Sequence, residues 1–384
     1  MFDHVMIETL LLSAVLSASL RVVPEQSRPF VDSKQWNQIV AGVDGFEAYW
    51  TRTNELHNPI RNKLLRTSFA LDGTQRGPTT IVRDDDPYTH PAMSAGPGSP
   101  LVYWRIYQDR RMVLASPLAD NALKYPSGKF VAEWTDYLRI TCGPAVCTAL
   151  WEDSGAWHAA HLDRDANLLA GPSQLPEAEF LYGAATDEAG FVVIRGFGGD
   201  VRATRIGFDG AVMWDVLLLE RNPQSFDHPR IALWNHGTHL AMAIVDRGAY
   251  SVEPTGSLRT VIINPEGELY DSGIAFSPGD GIGFESIALG WNGQRYLLAG
   301  TYRAERSLYL KSFALELDEG LRPVKTLELP PSLLYPAVIR ASGDAFVIGW
   351  SGPKVTVYKD GKFSAPVTLL EEEAPSRRRS VGRH

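Results

Sequence analysis

Two passages decide the fold: FESIALGWNGQRYLLAGTY, from Phe284 to Tyr302, and YPAVIRASGDAFVIGW, from Tyr335 to Trp350. Each opens on a short strand of small apolar residues, turns at a polar pair that includes Gly, and returns along a second apolar strand. The segments after them match as well. SLYLKSFALELDEGLRPVKTLEL (Ser307 to Leu329) and KVTVYKDGKFSAPVTLL (Lys354 to Leu370) each read as an alternating third strand, an acidic-Gly turn and a fourth strand. Four strands joined by short turns form one antiparallel sheet, a single blade.

Working outward, the end of the second strand gives an anchor that recurs at Trp50, Trp104, Trp151, Arg195, Ile244, Gly300 and Trp350, about 50 residues apart. Four residues before it an apolar residue usually stands: Phe46, Phe191, Leu240, Tyr296 and Phe346. After it comes an alternating strand closed by Asp72-Gly73, Ser127-Gly128, Asp209-Gly210, Glu266-Gly267, Glu319-Gly320 or Asp360-Gly361, pairs that suit two-residue hairpins. The third unit has Asp163-Arg164-Asp165 there instead. The expected fold is therefore all-β, a seven-bladed β-propeller with four antiparallel strands per blade. First strands such as IALW (Ile231 to Trp234) and AVIRA (Ala337 to Ala341) read as innermost strands, where small, uncharged side chains suit crowding around a channel. The opening strand near Gln38 to Gly42 and the closing strand near Ala365 to Leu370 are each complete, so the ring is expected to close blade against blade without a shared sheet.

Bulk composition narrows function mainly by exclusion. The chain has 384 residues, 44% of them hydrophobic, with 34 glycines, which fits a turn-rich globular protein. A formal charge of −8 argues against general nucleic-acid binding, which rests on Lys and Arg neutralising phosphates. The tail SRRRSVGRH is the one basic cluster and reads as a solvated terminus. Thr9 to Leu20 resembles the apolar core and small-residue exit of a secretory signal peptide, although Asp3 and Glu8 stand where positive charge is expected. Cys142 and Cys147 bracket GPAV where strand meets turn, so they can face each other across a hairpin as a disulfide or remain buried thiols. The chain divides into a signal peptide at 1–20, a lead-in at 21–35, the propeller at 36–370 and a charged tail at 371–384. A secreted or periplasmic monomer is expected, with no integral membrane segment in the mature chain.

The units resemble those of secreted bacterial β-propeller repeat proteins, whose blades run from a Pro through a small apolar strand, Gly, an apolar strand, Trp, a loop with Asp and Arg, and a strand ending in Asp-Gly. HPRIALWNHGTHLAMAIVDR (His228 to Arg247) and FESIALGWNGQRYLLAGTYR (Phe284 to Arg303) carry the pattern best. The resemblance implies a fold, with binding modules, adhesins and scaffolds among its members, and leaves activity open.

Candidate site residues lie on links between blades and on loops between second and third strands. The links supply Asp84, Asp85, Asp86, Tyr88, Asp136, Asp227 and Glu285; the loops supply Arg105, Tyr107, Arg195, Arg247 and Arg303. An Arg recurs near the anchor at Arg52, Arg105, Arg195, Arg247 and Arg303. A ring of guanidinium groups would suit a carboxylate or sulfate, whereas the plainer reading is that a repeated Arg ties its own loop to a neighbour. The Asp84-Asp85-Asp86 run breaks the repeat and has the donor type for a hard cation or for acid/base work, against the bland reading of a solvated turn before Pro87.

Other patterns fall short. EDSGAW (Glu152 to Trp157) lacks the spacing of a sialidase-type box, and Asp163 to Asn167 begins like a calcium loop but has Leu168 where Gly is required. His158 and His161 fall on opposite faces of a strand. No phosphate-binding Gly loop, G-x-S-x-G or zinc spacing occurs, so no cofactor and no metal are expected. The expected role is a protein- or glycan-binding module acting through the loop-rich channel face. The alternatives are a glycoside hydrolase or polysaccharide lyase acting on an acidic glycan, and an envelope scaffold.

Overall fold

The computed structural model describes residues 33–42, 44–54, 61–84, 91–94, 96, 100–107, 111–120, 122–133, 138–220, 229–236, 239–245, 256–278, 281–304, 310–331, 333–352 and 354–369. Its strands form seven antiparallel sheets, each taken from one continuous stretch of chain: blade one (33–84), two (92–133), three (138–174), four (180–219), five (230–276), six (281–327) and seven (336–368). Within each blade the strands pair in sequence order, so every connection inside a sheet is a hairpin. In blades two and seven the outer strand is split into two short pieces that pair with the same third strand. Pro126 and Pro366 sit in the gaps, where a residue with no N–H cannot continue a ladder.

The core is a cycle of apolar seams. Seven clusters of buried residues lie among the described residues, one in each seam between neighbouring blades, including the seam between blades seven and one. The second strand of each blade feeds two seams at once, because successive side chains on a strand point to opposite faces. In blade seven, Phe346, Ile348 and Trp350 enter the seam with blade six, while Ala345 and Val347 enter the seam with blade one. Blade five does the same with Leu240, Met242 and Ile244 on one side and Ala241, Ala243 and Val245 on the other. A strand buried on both faces must be apolar throughout. That is why the second strands of blades five and seven, LAMAIV and AFVIGW, read as unbroken hydrophobic runs.

The anchor positions share one role. Trp50, Trp104, Trp151 and Trp350 each pack into the seam with the preceding blade. The indole N–H of Trp350 donates to Thr356 Oγ1 at 2.8 Å, so its one polar atom is satisfied inside the seam. The first and last blades meet without exchanging a strand: Ser342 Oγ bridges to the carbonyls of Gly42 and Gly45 at 2.8 and 3.0 Å.

The turns between third and fourth strands differ from the two-residue expectation. In blade four the Gly210 N–H donates to the Gly207 carbonyl and the Gly207 N–H to the Ala211 carbonyl, a three-residue loop with its last residue left-handed, φ 84° for Gly210. The same bonding recurs in blades one, three, five and six; a two-residue turn, with Asp360 and Gly361 both at positive φ, occurs in blade seven. Two blades place a residue other than Gly at the left-handed position: Ala166 in blade three and, one residue beyond Gly320, Leu321 in blade six. Asp163 and Asp318 open these turns and accept the N–H groups of Asn167 and Arg322 at 2.8 Å, which offsets the backbone strain. Leu321 also buries its side chain in the seam between blades five and six.

Candidate functional site at one end of the channel

The innermost strands converge on the axis, and at one end the turns joining first to second strands form a rim. Polar side chains tie this rim from blade to blade. Asn235 Nδ2 of blade five donates to the Thr186 carbonyl of blade four at 3.2 Å, and Thr186 Oγ1 donates to the Thr141 carbonyl of blade three at 3.1 Å. The Cys142–Cys147 disulfide closes the blade-three turn, joining residues that face each other in register across the hairpin.

Behind this rim lies a cavity of about 340 Å³, lined by the turns of blades three, four and five together with Arg340 from the innermost strand of blade seven. Its walls are largely apolar: Cys142, Pro144, Ala184, Ala185, Leu233 and Trp234. Cavities of this size and character are where small ligands and terminal groups of larger ones bind. Arg340 crosses from blade seven toward blade five, its guanidinium carbon 5.4 Å from the Trp234 ring centroid. One of its nitrogens, Nη1, donates to the Ile339 carbonyl at 2.8 Å. Among the described residues no carboxylate pairs with it. Burial pushes its pKa down to about 10, which leaves it cationic at neutral pH. The acid in the same lining, Asp187, is already committed. It pairs with Arg205 at 2.8 Å and accepts the N–H groups of Ala189 and Gly190.

His236 closes one side of the cavity and is shared with a more open hollow of about 510 Å³ lined by His239, Trp291, Tyr296 and Glu319. The rings of His236 and His239 stack with centroids 4.1 Å apart, and the Nε2 atoms of both approach the Tyr296 hydroxyl, His236 very closely. Burial, reinforced by His239, pushes the His236 pKa down to about 4, so the imidazole is neutral under ordinary conditions. Burial and then Glu319 hold the Tyr296 phenol above the usual tyrosine range. A neutral phenol between two imidazoles can donate to one and accept from the other, a network that fixes the blade-five turn.

The sequence candidates are distributed differently. Asp84 ends the outer strand of blade one, paired with Lys63 on the rim of the disc and exposed. Glu285 lies on the innermost strand of blade six and accepts two hydrogen bonds from Arg303, at 2.7 and 3.2 Å. Arg195 is buried: it donates to Thr204 Oγ1, to the Glu177 carbonyl and to both Asp215 oxygens, tying blade four to the link that precedes it. Arg105 lines a small cleft with Arg139, Leu138 and Leu181, and Tyr107 ends the second strand of blade two. Asp85, Asp86, Tyr88, Asp136, Asp227 and Arg247 lie outside the described residues. The calcium-like run is a turn cap, with Asp163 oxygens accepting from Asp165, Asn167 N–H and Asn167 Nδ2. His161 is buried beside Phe191 and Phe208, while His158 stacks on Trp151.

Arg340, Trp234 and the His236/His239 pair are not among the sequence candidates. AVIRA does carry a charge that breaks the expectation of uncharged inner strands, and N-H-G-T-H places two imidazoles at the ends of one tight turn. Those are the signals the sequence offers.

The fold defines the chain as a seven-bladed β-propeller, and comparison with solved structures agrees. Similar folds include prolyl endopeptidases (14% identity, 90% of this chain and 50% of that chain, TM-score 0.53). Saccharomyces cerevisiae Sqt1 is similar as well (10% identity, 88% of this chain and 87% of that chain, TM-score 0.52). So is Pyrococcus horikoshii acylaminoacyl peptidase (12% identity, 86% and 52%, TM-score 0.50). The chain spans about half the length of the peptidase chains it matches. No family model matches the sequence, and no curated protein matches it. The likeness to propeller repeat proteins therefore stands at the level of fold.

Proposed function

We propose that this chain is an exported binding module that captures a ligand at the rim formed by the first-to-second-strand turns, with the cavity between blades three, four and five as its recognition pocket. The observation that carries this reading is the pocket itself: an apolar cavity at the channel end, built by three successive turns and reached from across the ring by an Arg that no acid among the described residues neutralises. Blade-to-blade hydrogen bonds hold the rim before any ligand arrives, which lowers the ordering cost of binding. Export is supported by the disulfide, a bond that persists in oxidising compartments, and by the signal-like stretch from Thr9 to Leu20. The ligand class assigned to this rim is a protein or a glycan. The hydrolase reading is less well supported, because Glu285, a described carboxylate beside the channel, is held by Arg303.

A peptide and glycan array probed with the purified chain and with Trp234→Ala tests the reading. Ligands retained by the wild type and lost by the variant support it. Binding that Trp234→Ala leaves untouched would move the site elsewhere, and a silent array would remove the binding role.

A further inference from the structure

The innermost strands carry a charge bias opposite to that of the whole chain. Leu138–Cys142, Arg230–Asn235 and Pro336–Ser342 contribute Arg139, Arg230 and Arg340, while the innermost strands of blades two and four carry no charge. Against these stands one acid, Glu285 on Gly281–Trp291, and Arg303 already engages it. The described innermost strands therefore carry more Arg than acid in a protein of net charge −8. Among the described residues, carboxylates do not absorb that charge. Arg139 donates to the Tyr182 carbonyl, Arg230 has a buried Nε with no partner, and Arg340 bonds a carbonyl.

We propose that the cavity beneath the rim is a receptor for a carboxylate carried on an apolar body, with Arg340 gripping the carboxylate and Trp234 flanking the body. The inference rests on the binding reading above and names its ligand chemistry. Three observations select this class. A guanidinium with one nitrogen satisfied still presents an N–H pair, and the planar fork matches the two oxygens of a carboxylate. Of the remaining walls, Leu233, Pro144, Ala184, Ala185 and the disulfide are apolar, and Asn235 Nδ2 and Thr186 Oγ1 already donate to the Thr186 and Thr141 carbonyls, which suits a hydrocarbon or aromatic group better than a sugar ring with its hydroxyls. His236 is held neutral and Asp187 is tied to Arg205, so neither competes for Arg340. The carboxylate can come from a free small organic acid or from the C-terminus of a peptide ending in an apolar residue.

Calorimetric titration separates these sources and tests the claim. The small probes are benzoate and indole-3-acetate against benzamide and indole-3-acetamide; the peptide probes are tetrapeptides ending in Leu with a free or an amidated C-terminus. The acids are expected to bind about ten- to a hundredfold more tightly than their amides, the range for a hydrogen bond to a charged group. Arg340→Met should abolish that preference and leave amide binding in place, while Arg340→Lys, which keeps charge but loses the fork, should retain part of it. Added salt should weaken the acids and spare the amides. Acids and amides binding equally would overturn the carboxylate inference and leave the pocket reading standing. Tighter binding of an oligogalacturonate than of any apolar acid would overturn it in favour of an acidic glycan. If no probe binds at millimolar concentration while the array still reports pocket-dependent ligands, the inference alone fails; if both are silent, both fail. Melting curves of each variant show whether a loss comes from unfolding, and Trp234→Ala, which should weaken acids and amides alike, gives a second variant that does not touch Arg340.

Discussion

Gly300 faces Phe313 across the second and third strands of blade six, and a Cβ built on Gly300 would stand 2.3 Å from Phe313 Cε1. Gly300 occupies the anchor position that is Trp in four other blades. In this blade the aromatic ring comes instead from the partner strand. Phe313 stacks on Phe276 at a centroid distance of 4.2 Å and fills the seam with blade five. The absence of a side chain at Gly300 is thus a packing requirement. Gly300→Ala is expected to destabilise the protein by about 1–3 kcal/mol through overpacking. Urea unfolding followed by intrinsic fluorescence would measure it, and an unchanged midpoint would show that Phe313 can give way.

Trp350 is buried completely in the seam between blades six and seven. Trp350→Ala removes the largest side chain of that seam and should cost about 3–5 kcal/mol. Thr356→Val removes only the acceptor for the indole N–H and should cost about 1 kcal/mol. The ratio of the two losses separates packing from hydrogen bonding.

The histidines make stability depend on pH. His236 falls from its ordinary value of 6.5 to about 4, and burial lowers His239 and His161 as well. A His with a depressed folded-state pKa is protonated first in the unfolded chain. Its contribution is therefore fully present above pH 6.5 and is lost as pH falls toward 4. Because His236 is partly exposed, solvent screening reduces the full linkage value, and the loss expected from it is about 1–2 kcal/mol. His236→Gln should flatten the melting-temperature profile over that window; a profile parallel to wild type would show that other groups carry the dependence.

The disulfide closes a very short ring, so reduction should cost only about 2 kcal/mol in the chain-entropy model. Its larger effect is expected at the pocket, where Cys142 and Pro144 form part of the wall. Comparing benzoate affinity and unfolding midpoint with and without reductant separates the two. Affinity that falls while the fold persists would show that the crosslink shapes the rim.

Much of the architecture is legible in the chain. The anchor series, the paired apolar strands and the acidic-Gly turns are local patterns, each fixed within one blade by strand alternation and turn chemistry. Leu321 shows where that legibility stops. Gly320 has the residue type for the left-handed position, yet the bonding of the turn and the seam beside it select the next residue.

The site is not legible in the same way, because its residues follow no period. The sequence determined that there are seven similar sheets, that Cys142 can face Cys147, and that second strands are mainly apolar. It did not determine that Arg340 of blade seven meets Trp234 of blade five, or that Asp187 is neutralised by Arg205 and so leaves Arg340 uncontested by it. Those relationships exist only once the ring has closed and brought distant inner strands to a common axis. Local pattern sets each blade; the closed ring decides which charges share the channel.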